Sequence, residues 1–475
     1  MIVQLPDHRE PLPGSVAATA DSASTRDTTR VILFAGAGLA AILLLLMFTT
    51  VEPPAPDAPA SGLDQITRNT QLFHGPIPAF FAVPGLAFTA LAWTCAPISR
   101  IVYLWMLYRL RRGYIDPWLA ATAGLAVPTI ALLVPSLFST DVFSYAMFGR
   151  IAGLYDQNPY LTTAAAAASG DPLMPYLYWR DISSPYGPLW TLISEAVAGD
   201  PTASPFESVL SFKLIAYIAV IVDGWLIHEL VRQRWPQHAL WAYLAFTWNP
   251  LVLFEGIVTV HNDVVILMLL LVGAYLLART TRWEAGVAAL SASTLIKYST
   301  IPVLGIGVTR LILRAPASRR LNLALRTALT VLLVAAAAFA PYWAGFMALA
   351  STAAEPGRGL NNPILLLLDW PLRLISGDRL SVDQPGVAVL LAVTVFTAWQ
   401  VAALRRDLRK PRWTIDDERA AWTASLFVFL LVGPRLHTWY FLVPVGLALA
   451  AGPAHRRLIP ISLTVAAGSY VTYFR

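Results

Sequence analysis

Apolar runs of roughly 20 residues recur along this chain, separated by short polar or basic connections. Coiled as an α-helix, a run of that length matches a hydrocarbon layer of about 30 Å. The pattern predicts an all-α polytopic membrane protein with about 13 transmembrane helices. They are expected at 31–50, 80–107, 117–137, 207–231, 238–259, 262–279, 283–298, 300–314, 325–345, 385–404, 420–433, 438–452 and 457–473. The short pair 283–298 and 300–314 also reads as one long tilted helix. Several later segments are too short to cross alone, and half-length helices characteristically line cavities. A polar tail, 1–30, precedes a single transmembrane domain, 31–475. The first apolar run is longer than a secretory h-region and lacks a clear cleavage site, so it is expected to stay as an anchor.

Composition agrees with that reading. The 475 residues are 57% hydrophobic and 13% charged, against about 25% charged in soluble domains, and mean hydropathy is +0.59. A net charge of +6 is no nucleic-acid signal, because the basic residues sit in short clusters between apolar runs. With a cytoplasmic N-terminus, the clusters at 109–113, 231–235, 279–283, 310–326, 405–412 and 455–457 all fall on the inner side. Outside lie two long loops, 138–206 and 346–384, and turns carrying "HND" (261–263), "KYS" (297–299) and "PRLHTWY" (434–440). The single cysteine, Cys95, forms no intramolecular disulfide. Neither a solenoid repeat nor an inverted duplication is visible, and the alanine run 164–168 is too short to interpret.

The costly polar residues gather on the outer side. In "STDVFSYAMFGRIAGLYDQNPY" (139–160), Ser139 or Thr140 is positioned to cap a helix with Asp141 in its first turn. Val142, Phe143, Ala146, Met147, Ile151 and Leu154 form an apolar stripe, which predicts a helix lying in the membrane interface. Asp141 is then either a plain first-turn acid or a carboxylate at the mouth of a lipid-facing cavity. Arg150 is either a partner within the loop or a headgroup contact, and Asn158-Pro159-Tyr160 ends the helix in a turn. "YWRDISSPYGPLW" (178–190) adds Arg180, Asp181 and Tyr186 within a stiff Pro-Tyr-Gly-Pro segment suited to a defined shape. Its aromatics suit either sugar stacking or interface anchoring.

In "FTWNPLVLFEGIVTVHNDVVILM" (246–268), Glu255, His261, Asn262 and Asp263 mark the outer end of a hairpin. Ionisable groups at membrane depth are candidate functional residues, although Asn262 or Asp263 as a simple helix cap is the plain alternative. Three adjacent residues of this kind are no metal signature. Lys213, Lys297, Arg435 and His437 read together as an anion site, most simply for a lipid-linked phosphate. Taken singly, Lys213 or Lys297 also fits snorkelling to the headgroups.

In order, "STDVFSYAMFGR…NPY", "WRDISSPYGPLW", "WNPLVLFEGIVTVHND", "TLIKYS" and "RLHTWYFLVP" resemble polyprenyl-phosphate-mannose-dependent mannosyltransferases of the GT-C superfamily. They are most similar to the actinobacterial α-(1→6)-mannosyltransferases, over residues from about 139 to 445. The resemblance implies a GT-C fold with a large first external loop containing interfacial helices, whose acid, here Asp141, is the catalytic base. It implies hexose transfer, with mannose expected, from a polyprenyl-phosphate donor to a glycan or glycolipid acceptor at the external face of the plasma membrane. A direct displacement would invert the sugar centre, with no cofactor or metal expected. Arg150, Tyr160, Arg180, Asp181, Tyr186, Lys213, Glu255, His261, Asn262, Asp263, Lys297, Arg435, His437 and Tyr440 are the expected substrate-binding residues. The chain departs from the family in writing Asp156-Gln157 before Asn158, and Val260 where a glycine precedes "HND". Asp181, Glu255 and Asp263 stay open as alternative bases. A lipid-linked-sugar flippase, a secondary transporter, or a GT-C enzyme using another sugar donor are the other readings.

Overall fold

The computed structural model describes residues 18–52, 63–74, 76, 78–136, 139–278, 282–349, 362–377, 379–382, 384–409 and 414–453. The expected span 457–473, the basic cluster 455–457 and most of the tail lie outside the described residues. Five helices are long and apolar enough to cross a membrane: Thr25–Met47, Gly85–Leu110, Pro205–Arg232, Ala317–Tyr342 and Gly386–Asp407. A sixth span arises if Val252–Val258 and Asp263–Leu277, bent by 106° at their junction, are taken together. This is an all-helical membrane protein, and among the described residues five or six of its helices meet the length and hydropathy of a full span. Several expected spans are instead broken or short. Residues 238–259 form one α-helix, Ala239–Thr247, followed by a π-helical stretch, Val252–Val258. Residues 283–314 form two helices, Trp283–Thr294 and Ile301–Arg314, rather than one long one.

In chain order the first helices are α1 (Ala18–Met47), α2 (Leu63–His74), α3 (Gly85–Leu110) and α4 (Pro117–Leu133). Between α1 and α3 the chain makes the sheet of the described residues: β1 (Thr49–Val51) pairs in parallel with β2 (Phe81–Val83). Neither this ribbon nor α2 is legible in the sequence. The amphipathic α2 lays Phe73 into the core.

The loop 138–206 contains α5 (Asp141–Gly153), α6 (Ala164–Ala167) and α7 (Pro188–Ala198). The alanine run is thus a short helix, capped by Thr163 through the Ala166 N–H. The predicted one-sided stripe on α5 is not what the fold uses, because every residue from Val142 to Ile151 is buried. The reason is α7, which crosses so closely that a Cβ on Gly149 would lie 2.0 Å from the Ser194 carbonyl oxygen. Two small residues on one side of α5, Gly149 and Gly153, permit that approach. They turn an interface helix into a covered one.

The remaining helices are α8 (Pro205–Arg232), α9 (Ala239–Thr247), α10 (Asp263–Leu277), α11 (Trp283–Thr294), α12 (Ile301–Arg314), α13 (Ala317–Phe339), α14 (Pro363–Ser376), α15 (Pro385–Leu408), α16 (Ile415–Val432) and α17 (Leu442–Ala450). The helix α8 starts on a capping box formed by Ser204 and Glu207. Ion pairs gather at one end of the bundle: Arg310 with Asp407, Arg314 with Glu418 at 2.9 Å, Arg419 with Asp416 at 2.6 Å, and Arg234 with Asp416 at 3.3 Å. These residues sit at the C-terminal ends of α8, α12 and α15 and in the first turns of α16. The opposite ends of two of these helices, α12 and α16, adjoin a cavity.

Gly149→Ala forces a side chain into the Ser194 backbone and should cost about 1–3 kcal/mol through overpacking, read as a lower thermal midpoint in detergent. Gly170→Ala, where a new Cβ meets nothing within 4 Å, should leave the midpoint within error.

Candidate active site

The cavity encloses about 340 Å³. Asp141 and Ser144 reach it from the start of α5, and Trp179, Pro185 and Tyr186 from the stiff loop segment. Asp263, Lys297 and Tyr298 come from the breaks around α10 and α11, and Arg435, His437, Trp439 and Tyr440 from the segment before α17. One wall is apolar: Leu426, Phe429 and Leu430 of α16 face Val443 and Pro444 of α17.

Asp141 stands where the sequence placed it, in the first turn of α5, with its N–H donating to Ser139 Oγ at 3.1 Å. Ser139, and not Thr140, provides that cap. The positive end of the helix favours an anion at this position. Burial drives the Asp141 carboxyl upward, but contact with His261 and the charges of His261 and Lys297 outweigh it and hold it below the usual carboxylate value. Asp141 is therefore ionised at neutral pH.

The wall behind Asp141 is a break in a helix. The π-helical stretch ends at Val258, and α10 starts at Asp263. In between, Val260 adopts φ 66°, which for a β-branched residue is a strained left-handed conformation. Thr259 N–H donates to Phe254 O at 2.8 Å and His261 N–H to Glu255 O at 3.0 Å. The carbonyls of Ile257 and Val258 are taken by Lys213, whose Nζ donates to them at 3.1 and 2.8 Å. Lys213 is fully buried, with Nζ 5.4 Å from the Phe73 ring centre. It stands behind the cavity wall and does not line the cavity with the other expected cations.

The break projects three polar side chains in different directions. His261 Nδ1 lies 3.5 Å from Asp141 Oδ2, and its Nε2 lies 3.4 Å from Glu255 Oε2. Both separations are long for hydrogen bonds. Asp263 receives Lys297 Nζ at 3.1 Å, and Lys297 also lies 4.4 Å from the Tyr440 ring centre. Burial lowers the Lys297 ammonium's affinity for its proton, but Asp263 and Tyr440 outweigh that and raise it above the ordinary lysine value. Asn262 occupies the cap position of α10, yet its buried side chain makes no hydrogen bond among the described residues.

The rings of His261, Trp439 and His437 stack in a column, with centroids 4.0 and 4.3 Å apart and planes within 11° and 10°. Burial, with the neighbouring charges of Arg435 and Lys297, pushes His437 down to about 4 against the opposing pull of Asp141. At neutral pH it offers hydrogen bonds rather than charge, so the fixed cations lining the cavity are Lys297 and Arg435.

The loop 178–190 is bolted to this site through its backbone. Gly187 N–H donates to Ile296 O at 2.8 Å and Leu189 N–H to Leu295 O at 3.0 Å. A Cβ on Gly187 would sit 2.1 Å from the Leu295 oxygen, so only glycine permits this contact, just before Lys297. Tyr160 lies behind Tyr186, its hydroxyl donating to the Tyr186 carbonyl at 3.0 Å.

Other expected residues stand apart from the cavity. Arg150 pairs with Asp171, Nε to Oδ2 at 2.7 Å, and donates to Ala203 O at 3.1 Å, both side chains being buried. It ties the loop together. Arg180 and Asp181 are exposed, and Arg180 Nε donates to Leu177 O. Residues that the sequence did not single out take their place in the lining: Trp179, Trp439, Tyr298 and Phe148. Trp439 lay between two flagged residues, His437 and Tyr440, and Trp179 beside Arg180. In both stretches charge drew attention away from the ring. Among the described residues, no group of three or more His, Cys, Asp or Glu is arranged to hold a metal ion.

Arg150→Met should strand the buried Asp171 carboxylate and cost about 3–5 kcal/mol of stability, visible as a large drop in thermal midpoint. A midpoint unchanged from the parent protein would instead rule out this framework role for Arg150.

Comparison with known proteins gives this geometry a context. The sequence model of a family described as "Alpha-(1->6)-mannopyranosyltransferase, N-terminal domain" matches residues 33–313, more than half of the chain. The chain is 33% identical over 187 residues to alpha-(1->6)-mannopyranosyltransferase A of Corynebacterium glutamicum, covering 38% of this chain and 37% of that protein. It is 26% identical over 266 residues to a probable alpha-(1->6)-mannopyranosyltransferase of Mycolicibacterium smegmatis, covering 54% of this chain and 44% of that protein. To alpha-(1->6)-mannopyranosyltransferase B of C. glutamicum it is 28% identical over 216 residues, or 42% and 34% of the two chains. The chain spans less than half the length of these curated relatives. No solved structure matches it significantly.

Proposed function

Since the chain belongs to the alpha-(1->6)-mannopyranosyltransferase family, we propose that it is a membrane mannosyltransferase. It would move mannose from a polyprenyl-phosphate carrier to a glycan or glycolipid acceptor. The observation that carries this reading is the pairing, in one cavity, of an ionised carboxylate with two fixed cations. Asp141 faces Lys297 and Arg435, and an apolar wall leads away between α16 and α17.

Those groups map onto a single displacement. Asp141 takes the proton of an acceptor hydroxyl as its oxygen attacks C1 of the mannosyl unit. The C1–O bond to phosphate breaks on the opposite face, and the electron pair leaves on the phosphate. Lys297 and Arg435 hold the charge that develops there, arginine with bidentate geometry and lysine as a point charge. A phosphate ester departs as a weak base, so no protonating acid is required. Attack opposite the leaving group inverts the centre and converts a β-linked donor into an α product. Trp179, Tyr186, Trp439 and Tyr440 offer ring faces for the sugars, and the apolar wall suits the prenyl chain.

The sidedness follows from charge. Basic residues at the far ends of α8, α12 and α15 mark the cytoplasmic side under the positive-inside tendency. The cavity then opens outward, beneath the first external loop, in a GT-C arrangement with a cytoplasmic N-terminus. Transport of the lipid-linked sugar is the competing reading, but transporters place their polar groups near the midplane. Here those groups collect at one end, next to a shaped loop.

Asp141→Asn should lower kcat at least about 100-fold, the scale of general-base catalysis, with the thermal midpoint kept. Transfer from polyprenyl-phospho-mannose within a few-fold of the parent rate rejects Asp141 as the base. Arg435→Ala should raise the donor KM about tenfold, equivalent to some 1.4 kcal/mol of lost phosphate binding, while acceptor KM stays put. An unchanged donor KM removes Arg435 from the phosphate site.

A further inference from the structure

We propose that Glu255 and His261 form a buried positioning pair for Asp141. In this arrangement His261, held between two carboxylates, fixes the orientation and the charged state that Asp141 presents to the acceptor. The inference rests on Asp141 acting as the base, and assigns Glu255 and His261 to Asp141 rather than to the substrate.

The geometry leads there by steps. His261 and Glu255 are each 0% exposed, while Asp141 lines the cavity. The imidazole has one nitrogen 3.5 Å from Asp141 Oδ2 and the other 3.4 Å from Glu255 Oε2. A ring placed edge-on between two carboxylates in a dry interior is an ion-pair arrangement, because an isolated buried carboxylate is costly. The same two residues are joined through the backbone, His261 N–H to Glu255 O at 3.0 Å, so they move as one unit. The His261 ring is also clamped face-on by Trp439 at 4.0 Å. The strained Val260 and the π-helical stretch before it are the local means of aiming it. Such π-turns and strained residues recur at functional sites. Lys213 supplies the donors that keep the break closed.

Asp141 faces His261 from the break, Lys297 from the α11–α12 connection and His437 from the segment before α17. Tyr145 lies on its own helix, and Asp263 also acts on Tyr145. His437 is neutral at pH 7, and Lys297 is already committed to Asp263. The basic group that contacts Asp141 is therefore His261: burial disfavours its protonated form, but Asp141 and Glu255 on its two sides outweigh that and favour it. No proton needs to pass through the pair: the acceptor proton stays on Asp141 until exchange with water after product leaves.

The test is the pH dependence of transfer by the full-length protein in detergent, with polyprenyl-phospho-mannose and a mannoside acceptor. A folded-state carboxylate held low by a nearby cation rises when that cation is lost. Glu255→Gln should therefore move the acid limb of kcat to higher pH by about one unit, a tenfold loss of rate on the acid side. Rate should recover above the limb, and donor KM should stay within twofold. His261→Asn should move the same limb at least as far, and the double variant should add little to it, as expected of groups acting as a unit. An acid limb in the parental position in Glu255→Gln, whether the plateau rate is kept or reduced, overturns the pair. If that variant does not accumulate folded, His261→Asn is read for the same limb: a shift to higher pH supports the pair, and a parental position overturns it. Asp141→Asn separates the two levels. Substantial pH-dependent transfer by that variant removes the base reading itself, whereas loss of transfer with an unmoved limb in Glu255→Gln removes only the positioning pair.

Discussion

A helix packed among apolar neighbours is free to stop only where something accepts the hydrogen bonds it gives up. The site depends on one such stop. Between Val258 and Asp263 the chain abandons helical geometry, with Val260 forced to φ 66° and two carbonyls, Ile257 and Val258, turned out of the ladder. Lys213 reaches across from α8 and takes both. Without that buried amino group the carbonyls would lack these partners in a dry interior, and a regular helix would be favoured. Glu255, His261 and Asp263 would then point along a continuous cylinder rather than converge on Asp141 and Lys297. The lysine does its work from behind the cavity, as a replacement for missing backbone donors.

Around this break the remaining parts are fixed by close backbone approach rather than by long polar side chains. Gly149 lets α7 lie across α5, which buries the helix that starts with Asp141. Gly187 lets the loop 178–190 dock on the carbonyls of Leu295 and Ile296, and Tyr186 and Lys297 line the same cavity. A ring column of His261, Trp439 and His437 then links the carboxylate side of the cavity to its cationic side. Two acids and two cations therefore sit together in a small volume without collapsing into one ion pair. Asp263 pairs with Lys297, His261 lies against Asp141, and Arg435 is a further lining residue of the same cavity. The opposite end of the bundle carries its own set of ion pairs, centred on Arg310, Asp407, Asp416 and Glu418, so charge is separated along the helices.

Much of this was legible from residue order. Apolar runs announced the helices, although π-turns and short breaks divide several of them. A hydropathy window averages across such breaks. Asp141, Asp263, Lys297, Arg435, His437, Tyr186 and Tyr440 were singled out as polar or aromatic residues that an apolar chain has little reason to keep, and they line one cavity. Arg150 and Lys213 attracted attention for the same reason, but they serve the framework: one pairs with Asp171, the other caps carbonyls. Charge in an apolar segment signals a partner, and says nothing of whether that partner is a ligand or the chain itself. The two tryptophans of the lining, Trp179 and Trp439, passed unnoticed because interface anchoring accounts for tryptophan equally well.

The sequence by itself determined a helical membrane chain and the shortlist of side chains from which a candidate site is assembled. Hydrophobicity is local and additive, so it survives being read one residue at a time. Tertiary structure alone decided which shortlisted groups meet. It put His261 between Asp141 and Glu255, turned Lys213 onto two carbonyls, and joined residues 141, 263, 297 and 435 across loops of unrelated length. Those meetings depend on where one helix breaks and on where a missing Cβ lets two backbones touch. Both are properties of pairs of segments, and no single segment encodes them.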